Sequence, residues 1–384
     1  MIRETGVEVI TTTLGESVRA FVPHCLPPAN PSLDGDCYRA LNHTAELALA
    51  RLNGVSGLVQ SVDWLIYASI RKEALLTSQI EGTQATLRDL FDVEAQIDVS
   101  NPNDVEEVVN YVKAFQFVRG HLQNLNGAQS LPISTRLLCE AHRLLMQGAR
   151  GANKLPGEVR QSQNWIGGTR PGNAVFVPPP PQQVPKLLGE LEKYIHAPQE
   201  LPILVQIGLV HVQFETIHPF LDGNGRLGRL LIAALMEEHQ LLKEPLLYVS
   251  ATLKRYQMEY YRRLAAVRTK GDWEGWIQFF LEAVIEAAKE AEQSVVDIAA
   301  LIHADRKKLM SASKTAPSAY RLFECLPAMP RFSIEQARQA LGCSVPTATA
   351  AVRTLIELGM LTEQTGKKKN RSFDYSAYID RLSV

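Results

Sequence analysis

The chain has 384 residues, of which 46% are apolar, and a net charge of −1 at pH 7. This length allows two or three domains with a sizeable core, and the near-neutral charge argues against nucleic acid binding over the whole surface. No apolar run approaches the roughly 18 residues of a membrane-spanning helix, and the five cysteines are scattered without metal-like spacing. We therefore expect a cytoplasmic protein with reduced thiols and no membrane partner.

The N-terminal third combines a polar start with helical patterns. Residues 1–30 are polar and contain prolines, which predicts an extended arm. Helical spacing of apolar residues then runs from about residue 37 to 123, with a break near Asn101 and Pro102.

One helix in this region, over about 63–82, has an unusual end. Thr77 and Glu81 lie one turn apart, and Gly82 is suited to end the helix. A carboxylate in a last turn faces the negative end of the helix dipole, at a cost of roughly 0.3–1 kcal/mol unless a cation compensates. The ordinary alternative is a simple helix end.

Two short extended runs, 157–168 and 174–177, flank a turn rich in Gly and Pro and precede four prolines. They predict a β-hairpin in an otherwise helical protein. The hairpin could cover the core, or its residues Ile166, Gly167, Gly168 and Thr169 could contact a ligand.

The run His218–Arg229 contains the most informative chemistry of the chain. At its centre, Gly223, Asn224 and Gly225 are residue types that tolerate positive φ and let backbone N–H groups converge on an anion. A helical pattern from Arg226 to Gln240 follows directly. The turn is therefore expected at a helix N-terminus, where the helix dipole also favours an anion.

The charged residues of this run suggest phosphate chemistry. Arg226 and Arg229 are three residues apart and share one helix face. Asp222 would repel a phosphate, which suggests contact through a hard cation such as Mg²⁺. His218, just upstream, is placed to accept a proton from an attacking hydroxyl. Each residue alone has an ordinary explanation, whereas the combination predicts a phosphate-binding catalytic site.

The C-terminal part contains a long helical pattern and then a small domain. The helix is predicted from Trp273 to about Leu309, and a linker near residues 314–317 follows. Two helices over 333–341 and 344–358, and two strands around a turn with Lys367, Lys368 and Lys369, predict a winged helix-turn-helix domain. Such a domain can bind DNA, or it can serve as a protein-interaction or dimerisation module.

The run His218–Arg229 resembles the signature His-x-Phe-x-Asp/Glu-Gly-Asn-Gly-Arg-x-x-Arg of the Fic family, whose members transfer AMP from ATP to hydroxyl side chains of proteins. Every signature position matches. The resemblance implies a mainly α fold: a Fic helical bundle with a β-hairpin flap, plus a C-terminal winged helix domain. We divide the chain into an N-terminal arm and helical region (1–104), a catalytic core (105–310) and the winged helix domain (318–384).

The resemblance also implies roles for the signature residues. His218 corresponds to the general base, Phe220 to a core anchor and Asp222 to the Mg²⁺ ligand. The implied nucleotide-binding residues of the signature are Gly223, Asn224, Gly225, Arg226, Leu227, Gly228 and Arg229. Relatives that transfer the γ-phosphoryl group instead carry Lys at the position of Gly225, so this chain resembles the AMP-transferring branch.

Residues 77–82 fit the inhibitory motif of the family, Ser/Thr-x-x-x-Glu-Gly/Asn. The resemblance implies that Glu81 pairs with Arg229 and occupies the place of the γ-phosphate, so that ATP binds only unproductively. Because Thr77, Glu81 and Gly82 belong to the same chain as the signature, the inhibition would be intramolecular.

Two further regions are similar to the family. Ile166–Thr169 corresponds to the flap, which holds the target segment beside the active site by strand addition. Tyr260 and Tyr261 correspond to an aromatic pair that borders the nucleotide. Relatives often have Asn a few residues later, where this chain has Arg268, so the adenosine contacts on that side stay open.

The resemblance thus implies a nucleotidyltransferase that moves AMP from Mg-ATP to a Ser, Thr or Tyr hydroxyl of a target protein and of itself, restrained by Glu81. Two alternatives remain open. The same residues could remove AMP by hydrolysis, or the winged helix domain could make the chain a DNA-binding regulator with a vestigial site. Homo-oligomer formation is a further possibility that the sequence does not decide.

Overall fold

The computed structural model describes residues 3–383 except residues 60, 124–130, 149, 150, 152, 199, 313–315 and 366–370. Most described residues are helical. The helices before the signature are α1 (Arg39–Val55), α2 (Val62–Ile80), α3 (Leu87–Glu94), α4 (Pro102–Leu122), α5 (Thr135–Leu145), α6 (Val184–His196) and α7 (Ile203–Ile217). Those that follow are α8 (Asn224–Glu238), α9 (Ser250–Arg255), α10 (Gln257–Lys270), α11 (Trp273–Ser311), α12 (Pro317–Cys325), α13 (Ile334–Leu341), α14 (Val345–Glu357) and α15 (Ser376–Ser383).

The first residues form a hairpin, so the prediction of an extended arm is wrong. Strands β1 (Gly6–Thr13) and β2 (Glu16–Pro23) pair antiparallel along their whole length. The turn between them has positive φ at Leu14 (50°) and Gly15 (79°), which suits a two-residue hairpin loop. The many β-branched residues of β1, Val7 and the run from Val9 to Thr13, favour this pairing over an extended arm.

Helix α7 forms the centre of the core. Every residue from Leu204 to Ile217 is buried, polar side chains included, so other elements enclose this helix on all sides. The indole Nε1 of Trp276 donates to the Gly208 carbonyl at 2.8 Å and ties α11 to α7. Because α7 is enclosed along its length, the position of its C-terminal end is fixed by packing.

Helix α2 packs against α8, the helix that carries Arg226 and Arg229. It ends at Ile80, with Glu81 as its C-cap residue and Gly82 at φ +99°. This agrees with the helix end predicted from the sequence. Helix α4 begins at Pro102, as the break near that residue predicted, and packs against α2 and α8.

The expected flap hairpin is shorter than two regular strands. One antiparallel bridge joins Ile166 to Phe176, and Gly167 and Gly168 turn the chain with φ of 68° and 74°. The Asn173 side chain accepts hydrogen bonds from the N–H groups of Thr169 and Arg170, at 3.0 Å each. Pro178 follows closely and offers no N–H group, which limits the ladder to one bridge.

The N-terminal hairpin packs against this flap. The Phe21 N–H donates to the Val177 carbonyl at 2.9 Å, and Val18 and Ala20 form a small buried cluster with Val177. The hairpin therefore supports the flap from the side opposite to Ile166.

The C-terminal residues fold as helices and a small sheet. Strands β3 (Arg331–Ser333), β4 (Thr362–Glu363) and β5 (Ser372–Asp374) pair antiparallel in the order β3-β5-β4. Together with α12, α13 and α14 they agree with the winged helix expectation. Helix α15 was not foreseen from the sequence, and the turn with Lys367, Lys368 and Lys369 lies outside the described residues.

This C-terminal unit packs closely on the rest of the chain. Arg331 Nε lies 2.5 Å from Asp92 Oδ1, and the Gln336 side chain donates to the Glu94 carbonyl at 2.9 Å. The Tyr375 hydroxyl donates to Asp305 on α11 at 2.8 Å. These contacts join the unit to α3 and α11 and thereby to the helices around the signature.

Among the described residues, no helix is both long enough and apolar enough to cross a membrane.

Candidate active site

His218 lies in a left-handed turn at the end of α7. Its backbone has φ 49° and ψ 63°, and its N–H donates to the Phe214 carbonyl at 2.9 Å. Positive φ is uncommon for a residue with a side chain and persists only where surrounding contacts enforce it. The turn directs the chain out of the buried helix and into the signature loop.

Arg160 supplies contacts that hold this turn, and the sequence analysis gave it no role. Its Nε donates to the His218 carbonyl at 2.8 Å, and its Nη2 donates to the Pro179 carbonyl at 2.5 Å. The Arg160 N–H also donates to the Pro219 carbonyl at 2.9 Å. The side chain is only 1% exposed. Burial is what distinguishes this arginine from the others nearby, and the sequence does not show burial.

The imidazole of His218 is neutral near pH 7. Burial lowers its pKa to about 4, and the charge of Arg160 acts in the same direction. Hydrogen bonding to the Glu215 backbone and the charge of Glu81 oppose this shift. A neutral imidazole can accept a proton, which is the form that a general base requires.

The signature turn is held by Asn224 from within. Its side chain accepts from the Phe220 N–H at 2.9 Å and donates to the Phe220 carbonyl at 2.8 Å. Asn224 begins α8 and is absent from the residues with positive φ, whereas Gly223 has φ +74°. The expectation that Asn224 supplies a left-handed conformation is therefore wrong; it supplies a bidentate side-chain brace instead.

His142 on α5 fixes the same turn from outside, and the sequence analysis missed it. Its Nδ1 accepts from the Gly157 N–H at 2.9 Å, so Nε2 carries the proton and donates to the Asp222 carbonyl at 3.0 Å. Its ring stacks on Phe220 with centroids 3.9 Å apart. No sequence pattern connects these residues, because they are about eighty positions apart.

The Asp222 side chain is 49% exposed, and its Oδ1 accepts from the Gly223 N–H at 2.6 Å. No group of three or more His, Cys, Asp or Glu among the described residues could hold a metal ion by itself. Mg²⁺ is commonly bound through one or two carboxylates together with substrate phosphates and water. A single exposed carboxylate at the start of α8 fits that mode.

Arg229 is held entirely by the last turn of α2. Its Nε donates to Thr77 Oγ1 at 2.6 Å, and its Nη2 donates to the Thr77 carbonyl at 3.1 Å and to Glu81 Oε1 at 2.5 Å. The guanidinium is 1% exposed. The structure thus brings together Glu81 and Arg229, which the sequence analysis paired across about 150 positions, and adds a contact of Thr77 with Arg229 that was not predicted.

The Glu81 carboxylate lies over the first turn of α8. A Cβ atom at Gly225 would be 2.3 Å from Glu81 Oε1, so only a residue without a side chain allows this approach. Burial raises the pKa of Glu81, but the charge and the hydrogen bond of Arg229 outweigh it and lower the pKa overall. Glu81 is therefore an anion, at the place where the helix dipole favours one.

Arg226 lies beside this position and is only 6% exposed. Its Nη1 lies 3.3 Å from Glu107 Oε2, and its Nη2 approaches Met146 Sδ at 3.6 Å. A polar cavity of about 200 Å³ adjoins these groups and is lined by Glu81, Glu106, Glu107, Asp222 and Arg226, among others. Arg226 lines this cavity and Arg229 is buried beyond it, and each arginine contacts a carboxylate.

Two signature residues predicted to bind nucleotide have packing roles instead. Leu227 is fully buried, and its N–H donates to the Gly223 carbonyl at 3.0 Å, so neither group faces a ligand. A Cβ at Gly228 would be 2.4 Å from Glu215 Oε1, so Gly228 permits close packing of α7 and α8. The helix ladder begins at Leu227, which explains why only the residues before it offer free N–H groups.

Of the predicted aromatic pair, one residue is buried in the core and the other lies at the surface. Tyr260 is 1% exposed, and its hydroxyl hydrogen-bonds with His211 Nε2 at 2.8 Å, so the expectation that its ring borders a ligand is wrong. Tyr261 is 43% exposed and has an accessible ring. The nearby Arg268 guanidinium lies 4.0 Å from the centre of the Phe176 ring, at the base of the flap.

The flap residues Ile166, Gly167, Gly168 and Thr169 lie at the surface beside the signature. The Ile166 N–H donates to the Phe176 carbonyl, and the Ile166 carbonyl accepts from the N–H groups of Val175 and Phe176. The Asn164 side chain donates to the Phe220 carbonyl at 3.3 Å, which fixes the start of the flap to the signature turn.

The fold is shared with solved Fic structures. A Fic family protein from Desulfovibrio desulfuricans G20 aligns with 90% of this chain and 97% of its own, with a TM-score of 0.57 and 23% identity. A Fic domain-containing signaling protein from Bacteroides thetaiotaomicron VPI-5482 aligns with 66% of this chain and 97% of its own, with a TM-score of 0.52 and 16% identity. At these identities the likeness concerns the fold.

Sequence comparisons match two regions of the chain to known families. Residues 132–236 match the Fic/DOC family, and residues 39–118 match the Fic/DOC family N-terminal region. With the intact signature, these matches show that the chain contains a Fic/DOC family N-terminal region and a Fic/DOC family domain.

Curated relatives are named as adenylyltransferases. A probable protein adenylyltransferase of Aquifex aeolicus is 27% identical over 190 residues, which cover 50% of this chain and 54% of the relative. Protein adenylyltransferase Fic of Drosophila grimshawi is 24% identical over 208 residues, which cover 53% of this chain and 39% of the relative. The matches thus span about half or less of these relatives.

Proposed function

We propose that this protein is an adenylyltransferase that moves AMP from Mg-ATP to a hydroxyl side chain of a protein. One observation carries the proposal: the Glu81 carboxylate lies over Gly225 and contacts Arg229 at 2.5 Å. A bound carboxylate at a helix N-terminus identifies a position suited to a phosphate group. His218, whose pKa responds to the charge of Glu81, lies near the same position.

The proposed reaction uses His218 as the base. Its neutral imidazole accepts the proton of the target hydroxyl while the hydroxyl oxygen attacks the α-phosphorus of ATP. A new P–O bond forms, the bond between the α-phosphorus and the bridging oxygen breaks, and pyrophosphate leaves. The N–H groups at the start of α8 and the two signature arginines bind the phosphates and stabilise their negative charge.

Mg²⁺ would be held by Asp222 together with the phosphates, where it would neutralise part of the negative charge on the leaving pyrophosphate. Asp222 keeps one carboxylate oxygen free for this purpose, since Oδ1 alone accepts the Gly223 N–H.

We further propose that Glu81 inhibits the enzyme. Its carboxylate and a γ-phosphate would compete for the same Arg229 N–H group and for the same space over Gly225. ATP then binds productively only when Glu81 moves away or is replaced.

The protein target would bind along the flap. Ile166 directs its backbone N–H and carbonyl to Val175 and Phe176, so an extended target segment would pair with the backbone groups of the neighbouring flap residues on the other edge. Main-chain pairing carries little side-chain information, so this mode would accept varied target sequences.

Labelled ATP tests the proposal directly. The wild-type protein and the Glu81→Gly variant are incubated with α-labelled ATP and, separately, with γ-labelled ATP. We expect protein labelling from α-labelled ATP only, stronger for Glu81→Gly and absent for His218→Ala. Labelling from γ-labelled ATP would instead indicate phosphoryl transfer and contradict the proposal.

A second activity, the removal of AMP by hydrolysis, is favoured by the exposure of Glu81. Its side chain is 36% exposed at the site and could orient a water molecule. Modified protein from the Glu81→Gly reaction, freed of nucleotide, is incubated with unlabelled wild-type protein. Release of labelled AMP that depends on Glu81 would support this activity, and stable label would exclude it.

A further inference from the structure

Arg226 contacts a carboxylate that lies outside the signature and outside the inhibitory motif. Glu107, on the first turns of α4, places Oε2 3.3 Å from Arg226 Nη1. Both side chains are largely shielded from water, at 7% exposure for Arg226 and 16% for Glu107. Shielding strengthens a pair of opposite charges relative to the same pair at the surface.

Glu107 also contacts the chain just after the inhibitory motif. Thr83 Oγ1 donates to Glu107 Oε2 at 3.0 Å, and the Thr83 N–H donates to the Ser78 carbonyl on α2 at 3.2 Å. One carboxylate oxygen therefore touches both a signature arginine and the residue two positions beyond Glu81. Glu107 and Glu81 reach the cavity from different helices and contact different arginines.

These contacts do not use all the hydrogen-bond donors of Arg226. Its Nε is buried and has no hydrogen-bond partner among the described residues. An unpaired buried donor is costly in a site that serves only structure. The free donor and the adjoining polar cavity both indicate a place for an anionic ligand.

We propose that Glu107 competes with a nucleotide phosphate for Arg226 and thereby sets the affinity of the site for Mg-ATP. This inference rests on the proposed function for the identity of the ligand. Glu107 acts on Arg226 as Glu81 acts on Arg229, and each carboxylate makes its direct contact with a different guanidinium. Replacement of Glu81 therefore leaves the site partly restrained.

A role of Glu107 in positioning Arg226 predicts the opposite change in the affinity for Mg-ATP. If Glu107 only held Arg226 in place, its loss would let the guanidinium turn away and Mg-ATP would bind more weakly. If it competes with phosphate, its loss frees an N–H group that is already fixed by the buried surroundings, and Mg-ATP binds more tightly.

The test measures equilibrium binding of Mg-ATP by calorimetry in the full chain, with and without Glu81→Gly. Glu107→Gln keeps the shape and removes the charge. We expect the affinity to rise by about three- to tenfold, the change that follows when a modest, partly buried ion pair ceases to compete. Glu106→Gln is the matched control, since Glu106 is its neighbour and lines the same cavity without an ion pair to Arg226 among the described contacts. We expect a much smaller change there.

The changes in Mg-ATP affinity distinguish competition by Glu107 from the other possibilities. A rise for Glu107→Gln in both backgrounds, larger than for Glu106→Gln, supports the inference. An unchanged or weakened affinity overturns the inference. An equal rise for both variants also overturns it, because it would indicate that any negative charge in the cavity weakens Mg-ATP binding. Mg-ATP binding to none of the proteins would overturn the proposed function as well, whereas binding that ignores Glu107 overturns this inference alone. Thermal unfolding of each variant verifies that it is folded.

Discussion

Thr77 accepts two hydrogen bonds from Arg229, one through Oγ1 at 2.6 Å and one through its carbonyl at 3.1 Å. Glu81 accepts a third, at 2.5 Å. The last turn of α2 therefore both orients the guanidinium and covers it. These two effects belong to different residues, so mutations can separate them.

The first prediction concerns Glu81. Glu81→Gly should raise AMP transfer, including transfer onto the protein itself, because it clears the space over Gly225 while Thr77 still orients Arg229. Labelling with α-labelled ATP measures the effect. Glu81→Gln keeps the size and removes the charge, so activation there would assign the inhibition to the ion pair rather than to bulk.

Arg229, which pairs with Glu81, provides the control. Arg229→Ala should abolish both inhibition and productive phosphate binding, and the double variant should behave like Arg229→Ala alone. Such non-additivity is expected when two residues act through one contact. If Glu81→Gly leaves labelling unchanged, α2 ends beside the site without regulating it.

The second prediction concerns Thr77. In the Glu81→Gly background, Thr77→Val should lower the rate several-fold, because it removes the Oγ1 acceptor and leaves Arg229 held only through the Thr77 carbonyl. Ser78→Ala is the matched control, since the buried Ser78 Oγ has no hydrogen-bond partner among the described residues. Equal losses in the two variants would indicate damage to α2 rather than loss of orientation.

The third prediction concerns the proposed base. His218→Ala should lower AMP transfer by about 10²–10⁴-fold, the usual contribution of general base catalysis. Binding of Mg-ATP should persist, because the N–H groups of α8 and the arginines are unchanged. Calorimetry alongside the rate assay separates the two effects, and near-normal labelling by this variant would rule out His218 as the base.

The fourth prediction is a pH dependence. Protonated His218 cannot accept a proton, and its pKa is lowered to about 4. Glu81→Gly also removes a charge that raises this pKa, so kcat/KM of this variant should fall only at or below that pH. Arg160→Met removes a nearby positive charge that lowers this pKa, and the acidic limb should then move to higher pH. A profile that declines through pH 7 would be inconsistent with the buried, neutral imidazole.

The fifth prediction concerns stability. Arg160→Met keeps most of the side-chain length but leaves the carbonyls of Ser162, Pro179 and His218 without their donor. We expect the free energy of unfolding to drop by about 3 kcal/mol, since charged donors to buried carbonyls contribute about 1.5–3 kcal/mol each and water replaces part of the loss. Urea unfolding measures the change. Arg170→Met, at an exposed position of the same loop region, should have little effect.

Sequence patterns predicted the elements whose signals are local. The apolar spacing of α11 predicted a helix over 273–309, and the structure extends it to Ser311. Gly82 predicted the end of α2 because positive φ is inexpensive for glycine. The β-branched residues of β1 also indicate a strand. The hairpin was nevertheless not predicted, because its prediction also depends on the turn at Leu14 and Gly15.

The sequence by itself determined the end of α2, the long helix α11 and the chemistry of the run His218–Arg229, since residue types at fixed spacing in one turn or one helix are local properties. Only the tertiary structure decided which distant groups meet that run. Arg160, His142 and Glu107 approach it from three other segments, and Tyr260 turns into the core instead of the site. Such contacts depend on how buried faces pack, and packing is a property of the whole chain that no short window of sequence contains.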